Sequence, residues 1–196
     1  MSIRFPPRVL RAMTNADRTR FLPDNVAHLA QLDAPLQIGL GQTNSQPTTV
    51  AIMMDLLDVH EGDRVLDVGA GSGWTTAILS DLVGHTGRVI GVERHAALAH
   101  SAQRALETYL QDAAIQNASI VVAEPGVLGW PENAPYQRIL VSAMAKSFPE
   151  ELFDQLAEGG TMVIPVNSVM FKVVKRDGRA VMSRHGLFSF VPLVED

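Results

Sequence analysis

The chain has 196 residues, of which 46% are hydrophobic and 19% charged, and its formal net charge is −5. This length and composition predict one globular domain with a substantial core, and the negative charge argues against a mainly electrostatic hold on nucleic acid. The lack of cysteine in the sequence excludes disulfides, thiolate chemistry and cysteine-based zinc sites.

Residues 1–45 are predicted to form an N-terminal region that precedes the main α/β unit. Two short helical candidates lie within it, at 9–13 and 26–32. The first twenty residues are basic, and Pro6 and Pro7 interrupt any long amphipathic helix there. We therefore expect a solvated leader that packs on the domain rather than an RNA-binding arm or a transit peptide.

A loop and a helix follow the leader. Residues 33–45 are rich in Gly, Pro, Gln and Thr and have no sustained period, so we predict a loop. A loop of this length in a compact domain is more often functional than idle. Helical spacing returns over 46–59, where Ser45 is the predicted N-cap and Pro47 lies in the first turn.

From residue 64 onward, short β-branched runs alternate with helical patterns. This alternation is typical of βαβ units and predicts a Rossmann-like, doubly wound and mostly parallel sheet of the α/β class. The predicted strands are 64–69, 88–93, 119–123, 137–142 and 160–166. The predicted helices lie near 74–83, 95–111 and 149–157. Residues 46–166 would thus form the cofactor-binding part of a single domain.

The pattern changes in the last part of the chain, residues 167–196. Apolar runs at 169–175 and 180–184 flank Asp177 and Gly178, which predicts a β-hairpin. A further strand is predicted at 186–193. We therefore expect antiparallel strands at one edge of the sheet.

The segment at 65–74, Val-Leu-Asp-Val-Gly-Ala-Gly-Ser-Gly-Trp, joins a buried strand to a helix and organises the rest of the chain. Its glycines have no Cβ, so the backbone can turn sharply and lie against a ligand. The N–H groups that begin the following helix point to the same place. The segment therefore predicts a nucleotide-type site, although Trp74 breaks the dinucleotide pattern G-x-G-x-x-G.

Three acids lie at or near the carboxyl ends of successive predicted strands: Asp67, Glu93 and Glu124. Carboxylates repel a pyrophosphate and attract a cationic ligand. The sulfonium and ammonium groups of S-adenosylmethionine suit such acids better than NAD does, and Glu93 can accept hydrogen bonds from both ribose hydroxyls. The sequence therefore favours S-adenosylmethionine, with an NAD-dependent dehydrogenase as a distant alternative.

Other ligand classes and locations have little support. No run of residues approaches the ~20 apolar residues of a membrane span, so we expect no contact with a membrane. The N-terminus lacks the apolar core of a secretory signal, and we expect a cytoplasmic protein. The six histidines are scattered, with His95 and His100 on different faces of a helix, so we predict no metal site.

Several segments resemble the protein-L-isoaspartate O-methyltransferases. They are Gly-Leu-Gly-Gln-Thr-Asn-Ser-Gln-Pro at 39–47, the glycine turn at 65–73, Gly-Trp-Pro at 129–131, Ile-Pro-Val at 164–166 and Phe-Val-Pro-Leu at 190–193. The glycine turn alone is common to class I methyltransferases, whereas the loop at 39–47 and the Phe-Val-Pro-Leu segment are specific. The resemblance covers nearly the whole chain.

The resemblance implies methyl transfer from S-adenosylmethionine to the α-carboxylate of isoaspartyl residues in damaged proteins. The methyl ester then collapses to a succinimide, which reopens in part to normal aspartate. The family's active-site serine matches Ser45, and Gln42, Thr43 and Asn44 match the loop over cofactor and substrate. The matching cofactor residues are Asp67, Val68, Gly69, Gly71, Gly73, Glu93, Glu124 and Pro125.

Two further functions stay open beside this one. The chain differs from the family pattern at Gln31, Asn44, Thr48 and Gln137, and most of these changes lie on the substrate side. Of these, Gln31, Asn44 and Gln137 favour a class I methyltransferase that acts on a small molecule or RNA. The third possibility is a module that binds S-adenosylmethionine without turnover. The residues indicate no particular oligomeric state.

Overall fold

The computed structural model describes residues 4–194. The strands in this part of the chain are β1 (Leu36–Gly39), β2 (Gln42–Asn44), β3 (Arg64–Val68), β4 (Arg88–Glu93), β5 (Ala118–Val122), β6 (Tyr136–Val141), β7 (Leu156–Val166), β8 (Val169–Arg176) and β9 (Arg179–Leu187). The α-helices are α1 (Pro7–Asn15), α2 (Asp24–Ala27), α3 (Pro47–Leu57), α4 (Trp74–Val83), α5 (Ala96–Asp112) and α6 (Glu150–Asp154). Short 3₁₀ turns occur at Arg18–Phe21 and Pro131–Asn133.

Seven strands form one sheet in the order β5-β4-β3-β6-β7-β8-β9. The strands from β5 to β7 pair in parallel, and β8 and β9 are added as antiparallel strands. The predicted α/β class, with antiparallel strands at one edge, is therefore confirmed. The chain runs outward in opposite directions from β3 and from β6, so a crevice at their carboxyl ends is a topological switch point.

Apolar side chains cover both faces of the central strands, as a parallel sheet requires. One buried cluster joins α1, α3, α4 and α5 to the sheet and includes the fully buried Ile78 and Leu106. A second cluster includes Leu66, Ile139 and Leu152, the last of these on α6. The strand ends that form the crevice are thus fixed from both sides. None of the helices in residues 4–194 is long and apolar enough to cross a membrane.

The N-terminal leader packs on the domain through α1. Val9 and Ala12 of α1 are buried in the first cluster, and Arg8 forms an ion pair with Asp58 at 2.8 Å. The expectation that the leader is solvated is wrong for Arg18, which is only 5% exposed.

The loop predicted at 33–45 is wrong, because β1 and β2 form an antiparallel hairpin there. Leu36 and Ile38 are buried while Gln37 and Gly39 are exposed, which is the alternation of a strand with one buried face. Four residues are too few for this period to stand out in a sequence rich in Gly, Gln and Thr. The hairpin brings its second strand beside the glycine turn.

Ser45 is not the N-cap of α3, because the helix begins one residue later and Gln46 takes that position. The capping bond comes instead from Asp33, whose Oδ1 accepts from the Thr48 N–H at 2.8 Å. The side chain of Ser45 is therefore free of a helix-capping role.

The last segments also differ from the prediction. The helix predicted at 149–157 ends at Asp154, because β7 already begins at Leu156. The strand predicted at 186–193 is wrong, since β9 continues to Leu187 and the following residues form a single parallel bridge, Met144 to Pro192. Pro192 has no N–H and cannot extend a ladder of hydrogen bonds.

Candidate functional site

A cavity of about 300 Å³ lies at the carboxyl ends of β3, β4 and β6 and beyond the end of β5. This volume and place are typical of small-molecule sites in open α/β sheets. Its predicted wall residues are Gln42, Thr43, Val68, Gly69, Gly71, Glu93, Glu124 and Pro125. The site predicted from the glycine turn therefore coincides with this cavity.

The glycine turn supplies the floor of this cavity. Gly69 and Gly71 have φ angles of +79° and +56°, which side chains with a Cβ rarely adopt. Gly73 lines neither this cavity nor the smaller one described below, and a Cβ there would lie 2.9 Å from Ile120 Cδ1. The first two glycines thus open the backbone to a ligand, whereas the third allows close packing of α4 against α5 and β5.

Glu93, the last residue of β4, is 5% exposed and holds the glycine turn in place. Its Oε2 accepts from the Gly71 N–H at 2.8 Å, and its Oε1 accepts from the His95 N–H at 2.8 Å. A carboxylate oxygen has further lone pairs, so the group can still accept from hydroxyls of a ligand in the cavity. Glu93 is therefore an oriented acceptor on the cavity wall.

Glu124 and Pro125 follow the end of β5 and lie exposed at the rim of the cavity. Pro125 has no N–H, so this part of the rim offers one backbone donor fewer to a ligand. The side-chain carboxyl group of Glu124 can be reached by a ligand from the solvent side.

The expectation that Asp67 lines the crevice is wrong, because its side chain is fully buried and points toward α4. Its Oδ2 accepts from the hydroxyls of Thr75 and Thr76, each at 2.7 Å. Side chains of a strand alternate between its faces, so Val68 reaches the cavity while its neighbour faces the helix. Burial raises the pKa of Asp67 to about 6, against the opposing effect of the two threonine bonds, and the charge of Glu93 adds to the rise.

The raised pKa of Asp67 predicts a pH-dependent stability. The unfolded carboxyl has a pKa near 4, so between about pH 4 and 6 the folded state holds a proton that the unfolded state has lost. The contribution of Asp67 to stability is therefore lost as the pH rises through this window, by roughly 3 kcal/mol for two pKa units. We expect the free energy of unfolding of Asp67→Asn, relative to the wild type, to rise by that amount between pH 4 and 7.

Urea unfolding at pH 4, 5, 6 and 7 measures this difference. Asp55→Asn is the matched control, because Asp55 is an exposed acid on α3, and its curve should run parallel to that of the wild type. Parallel curves for Asp67→Asn as well would contradict the raised pKa.

A smaller cavity of about 30 Å³ lies between the hairpin and the glycine turn. Ser45 and Asn44 line it from one side, and Ser72 and Trp74 from the other. Thr43, Gly69, Gly71 and Ser142 line both cavities, so the two adjoin. The structure therefore places Ser45 next to the larger cavity but not on its wall.

Arg18 lines neither cavity but supports the segment beside the smaller one, and the sequence did not reveal this role. Its guanidinium donates to the carbonyl oxygens of Ala30, Leu32, Ala34, Asn44 and Ser45 and to the side-chain oxygen of Asn44. It also lies 5.3 Å from the centre of the Trp74 ring. Burial lowers the pKa of Arg18, and the charge of Asp33 opposes this. Arg18 therefore ties the leader to both ends of the 30–45 segment.

Other wall residues were also missed. They include Arg94 and His95 after β4, Ser142 and Ala143 after β6, and Val191 to Val194 near the end of the chain. The rule that ligands bind at carboxyl ends of parallel strands could have located the first four. Within residues 4–194, no group of three or more His, Cys, Asp or Glu side chains is placed to hold a metal ion.

Comparison with known proteins gives one consistent family. The sequence pattern of the family "Protein-L-isoaspartate(D-aspartate) O-methyltransferase (PCMT)" matches residues 3–196. A protein-L-isoaspartate O-methyltransferase of Methanosarcina mazei is 42% identical over 191 residues, which are 95% of this chain and 76% of the relative. The Methanopyrus kandleri protein of that name is 44% identical over 95% of this chain and 83% of its own length.

A solved structure agrees with these relatives. It is that of a protein-L-isoaspartate O-methyltransferase from Plasmodium falciparum in complex with S-adenosyl-L-homocysteine. It superposes with a TM-score of 0.87 at 26% identity and covers 97% of this chain and 92% of its own. The similarity thus extends over nearly the whole fold.

Proposed function

Since the chain belongs to the protein-L-isoaspartate O-methyltransferase family, we infer that it transfers the methyl group of S-adenosylmethionine to the α-carboxylate of L-isoaspartyl residues in proteins. The observation that carries this inference is the match of the family pattern over residues 3–196, together with a cavity at the glycine turn. The Plasmodium falciparum structure holds S-adenosyl-L-homocysteine, the product that S-adenosylmethionine leaves after methyl transfer.

The residues of the larger cavity fit this cofactor. Gly69 and Gly71 leave open backbone at the floor, and Glu93 supplies a carboxylate that is already oriented by two N–H donors. We propose that Glu93 accepts from the ribose hydroxyls and that Glu124 and Pro125 lie near the adenine. Gln42 and Thr43 would close the cavity from the hairpin side. When bound, S-adenosylmethionine supplies an electrophilic methyl group on a sulfonium.

The nucleophile of the reaction needs no general base. A carboxylate with a pKa near 4 is already ionised at pH 7. The chain must instead hold one of its oxygens in line with the methyl–sulfur bond and exclude water, and such orientation can contribute ~7–11 kcal/mol in favourable cases. Ser45, beside the glycine turn in the smaller cavity, is placed to donate a hydrogen bond to the substrate carboxylate or its peptide backbone. We propose this role for it.

The test of the proposed function is a pair of peptides that differ only in one linkage. We expect the purified chain to transfer a radiolabelled methyl group from S-adenosylmethionine to an isoaspartyl peptide and not to its aspartyl twin. Equal labelling of both peptides, or of neither, would contradict the isoaspartyl specificity. Binding of S-adenosyl-L-homocysteine with no labelling would leave a cofactor-binding protein with another substrate or none.

Replacing Ser45 by alanine should lower kcat/KM for the isoaspartyl peptide about tenfold, because one hydrogen bond to a charged group is lost. The dissociation constant of S-adenosyl-L-homocysteine should stay within about twofold of the wild type. Initial rates and isothermal titration calorimetry measure the two quantities. Ser101→Ala, which removes an exposed hydroxyl on α5, is the matched control and should leave both unchanged. Unchanged kcat/KM for Ser45→Ala would remove the serine from the reaction.

A further inference from the structure

We propose that Asn44 is a positioning residue that turns the hydroxyl hydrogen of Ser72 into the smaller cavity, where it donates to a carboxylate of a bound reactant. The inference rests on the proposed function, because that reaction brings two carboxylates to the site, one on the isoaspartyl residue and one on the amino-acid end of the cofactor. Asn44 is one of the positions at which the chain differs from the family pattern, and its amide is buried, so it needs an explanation in this chain.

The first step is the orientation of the Asn44 amide. Asn44 is 4% exposed, and Arg18 Nε lies 2.7 Å from its Oδ1. A guanidinium can only donate hydrogen bonds, so the atom that faces it must be the amide oxygen. Arg18 is itself fixed by carbonyl oxygens of the 30–45 segment. The amide nitrogen of Asn44 is therefore forced to the opposite side, toward the glycine turn.

The second step is the orientation of the Ser72 hydroxyl. Asn44 Nδ2 lies 2.9 Å from Ser72 Oγ. An amide NH₂ group can only donate, so Ser72 Oγ accepts this bond and its own hydrogen must point elsewhere. Within residues 4–194, this is the only hydrogen bond of the Ser72 side chain. Since Ser72 lines the smaller cavity, its hydrogen is available to an acceptor there.

The third step is the kind of acceptor. Within residues 4–194, the hydrogen-bond acceptors of Arg18 are all neutral oxygens, and Asp33 offsets its positive charge only from outside hydrogen-bond contact. This charge polarises the chain of donors from Arg18 through Asn44 to Ser72, which favours an anion at its far end. A volume of about 30 Å³ suits a small polar group. A carboxylate that also meets Ser45 fits these conditions.

Three substitutions test the direction of this chain of bonds. Asn44→Asp keeps the contact with Arg18 but can only accept from Ser72, so the hydroxyl hydrogen turns away from the cavity. Ser72→Ala removes the donor without any change of charge. Asn44→Val removes both bonds of the amide and leaves the Arg18 Nε–H without an acceptor. This variant therefore tests whether Asn44 only holds the 30–45 segment and the glycine turn together.

The readouts are dissociation constants for S-adenosyl-L-homocysteine and for methylthioadenosine, which has no carboxylate, and the KM of the isoaspartyl peptide. We expect Asn44→Asp and Ser72→Ala each to weaken one reactant at least about tenfold, as for loss of a hydrogen bond to a charged group. If the cofactor supplies the carboxylate, S-adenosyl-L-homocysteine binds more weakly and methylthioadenosine does not. If the peptide supplies it, only the peptide KM rises. The double variant Asn44→Asp/Ser72→Ala should weaken binding of that reactant no more than either single variant does.

Two results would overturn the proposal. One is weakening in Asn44→Val alone, which means that Asn44 only ties the loops together. The other is weakening in Asn44→Asp but not in Ser72→Ala, which the added charge alone explains. Asn133→Asp, in the exposed 3₁₀ turn, is the matched control for charge and should bind like the wild type. If the wild type binds the cofactor product but methylates no isoaspartyl peptide, the proposed function fails. The inference then stands only if Asn44→Asp and Ser72→Ala weaken S-adenosyl-L-homocysteine and not methylthioadenosine, and it is overturned if neither ligand is weakened.

Discussion

Replacing Glu93 by glutamine is expected to weaken binding of S-adenosyl-L-homocysteine about 100-fold or more. The variant removes the two hydrogen bonds that we propose from ribose hydroxyls to this carboxylate, each worth about 1.5–3 kcal/mol. Both oxygens of Glu93 also accept from backbone N–H groups, of Gly71 and His95. In glutamine one oxygen becomes an NH₂ group that faces one of these donors, so the glycine turn loses a bond as well. Isothermal titration calorimetry measures the affinity.

The matched control is Glu132→Gln, which changes the same charge on an exposed residue that lines neither cavity. Its affinity should equal that of the wild type. Thermal unfolding without ligand separates the two roles of Glu93, since only loss of the Gly71 and His95 bonds lowers the melting temperature there. An affinity of Glu93→Gln within threefold of the wild type would mean that the carboxylate orients the turn and does not contact the ligand.

The centre of the fold could be predicted because its signals are local. The buried strand Val65–Val68 and the glycines that follow it define the crevice within ten residues of sequence. The hairpin β1–β2 could not, because its strands have four and three residues and only the sheet context makes their alternation visible. The strand predicted at 186–193 was wrong for a related reason. The apolar run at 190–193 has the pattern of a strand, but Pro192 limits it to one bridge.

The candidate site divides in the same way. Glu93 could be predicted from its place at the carboxyl end of a parallel strand, and it lies on the cavity wall. Asp67 was misplaced because one step along a strand reverses the face, and Val68 rather than Asp67 faces the cavity. Arg18 could not be found from the sequence, because its acceptors are mostly backbone carbonyls, which carry no residue signal.

Replacing Arg18 by methionine is expected to cost at least about 4 kcal/mol of unfolding free energy. The substitution removes the donor of the oxygens that accept from Arg18, among them those of the buried residues Ala30 and Asn44, and each buried acceptor left unpaired costs about 1–3 kcal/mol. For a chain of this size the melting temperature should fall by roughly 10 °C. Urea unfolding at pH 7 measures the free energy. Arg20→Met is the matched control: Arg20 lies in the same turn but pairs with Asp112 at the surface, so its loss should cost less than 1 kcal/mol.

Substitution of Arg18 should change the kinetics of the reaction as well as the stability of the protein. Its donors hold the carbonyl oxygens of Asn44 and Ser45, so the serine proposed to orient the substrate depends on them. Arg18→Lys keeps the charge but has one ammonium in place of a planar fork, and it cannot reach all of these acceptors at once. We expect Arg18→Lys to fold and to have a peptide KM that is raised severalfold. The control variant Arg20→Lys should have an unchanged melting temperature. Arg18→Lys could also match the wild type in both stability and KM. A point charge would then hold the 30–45 segment equally well, so the positive charge would suffice and the planar geometry of the guanidinium would not matter.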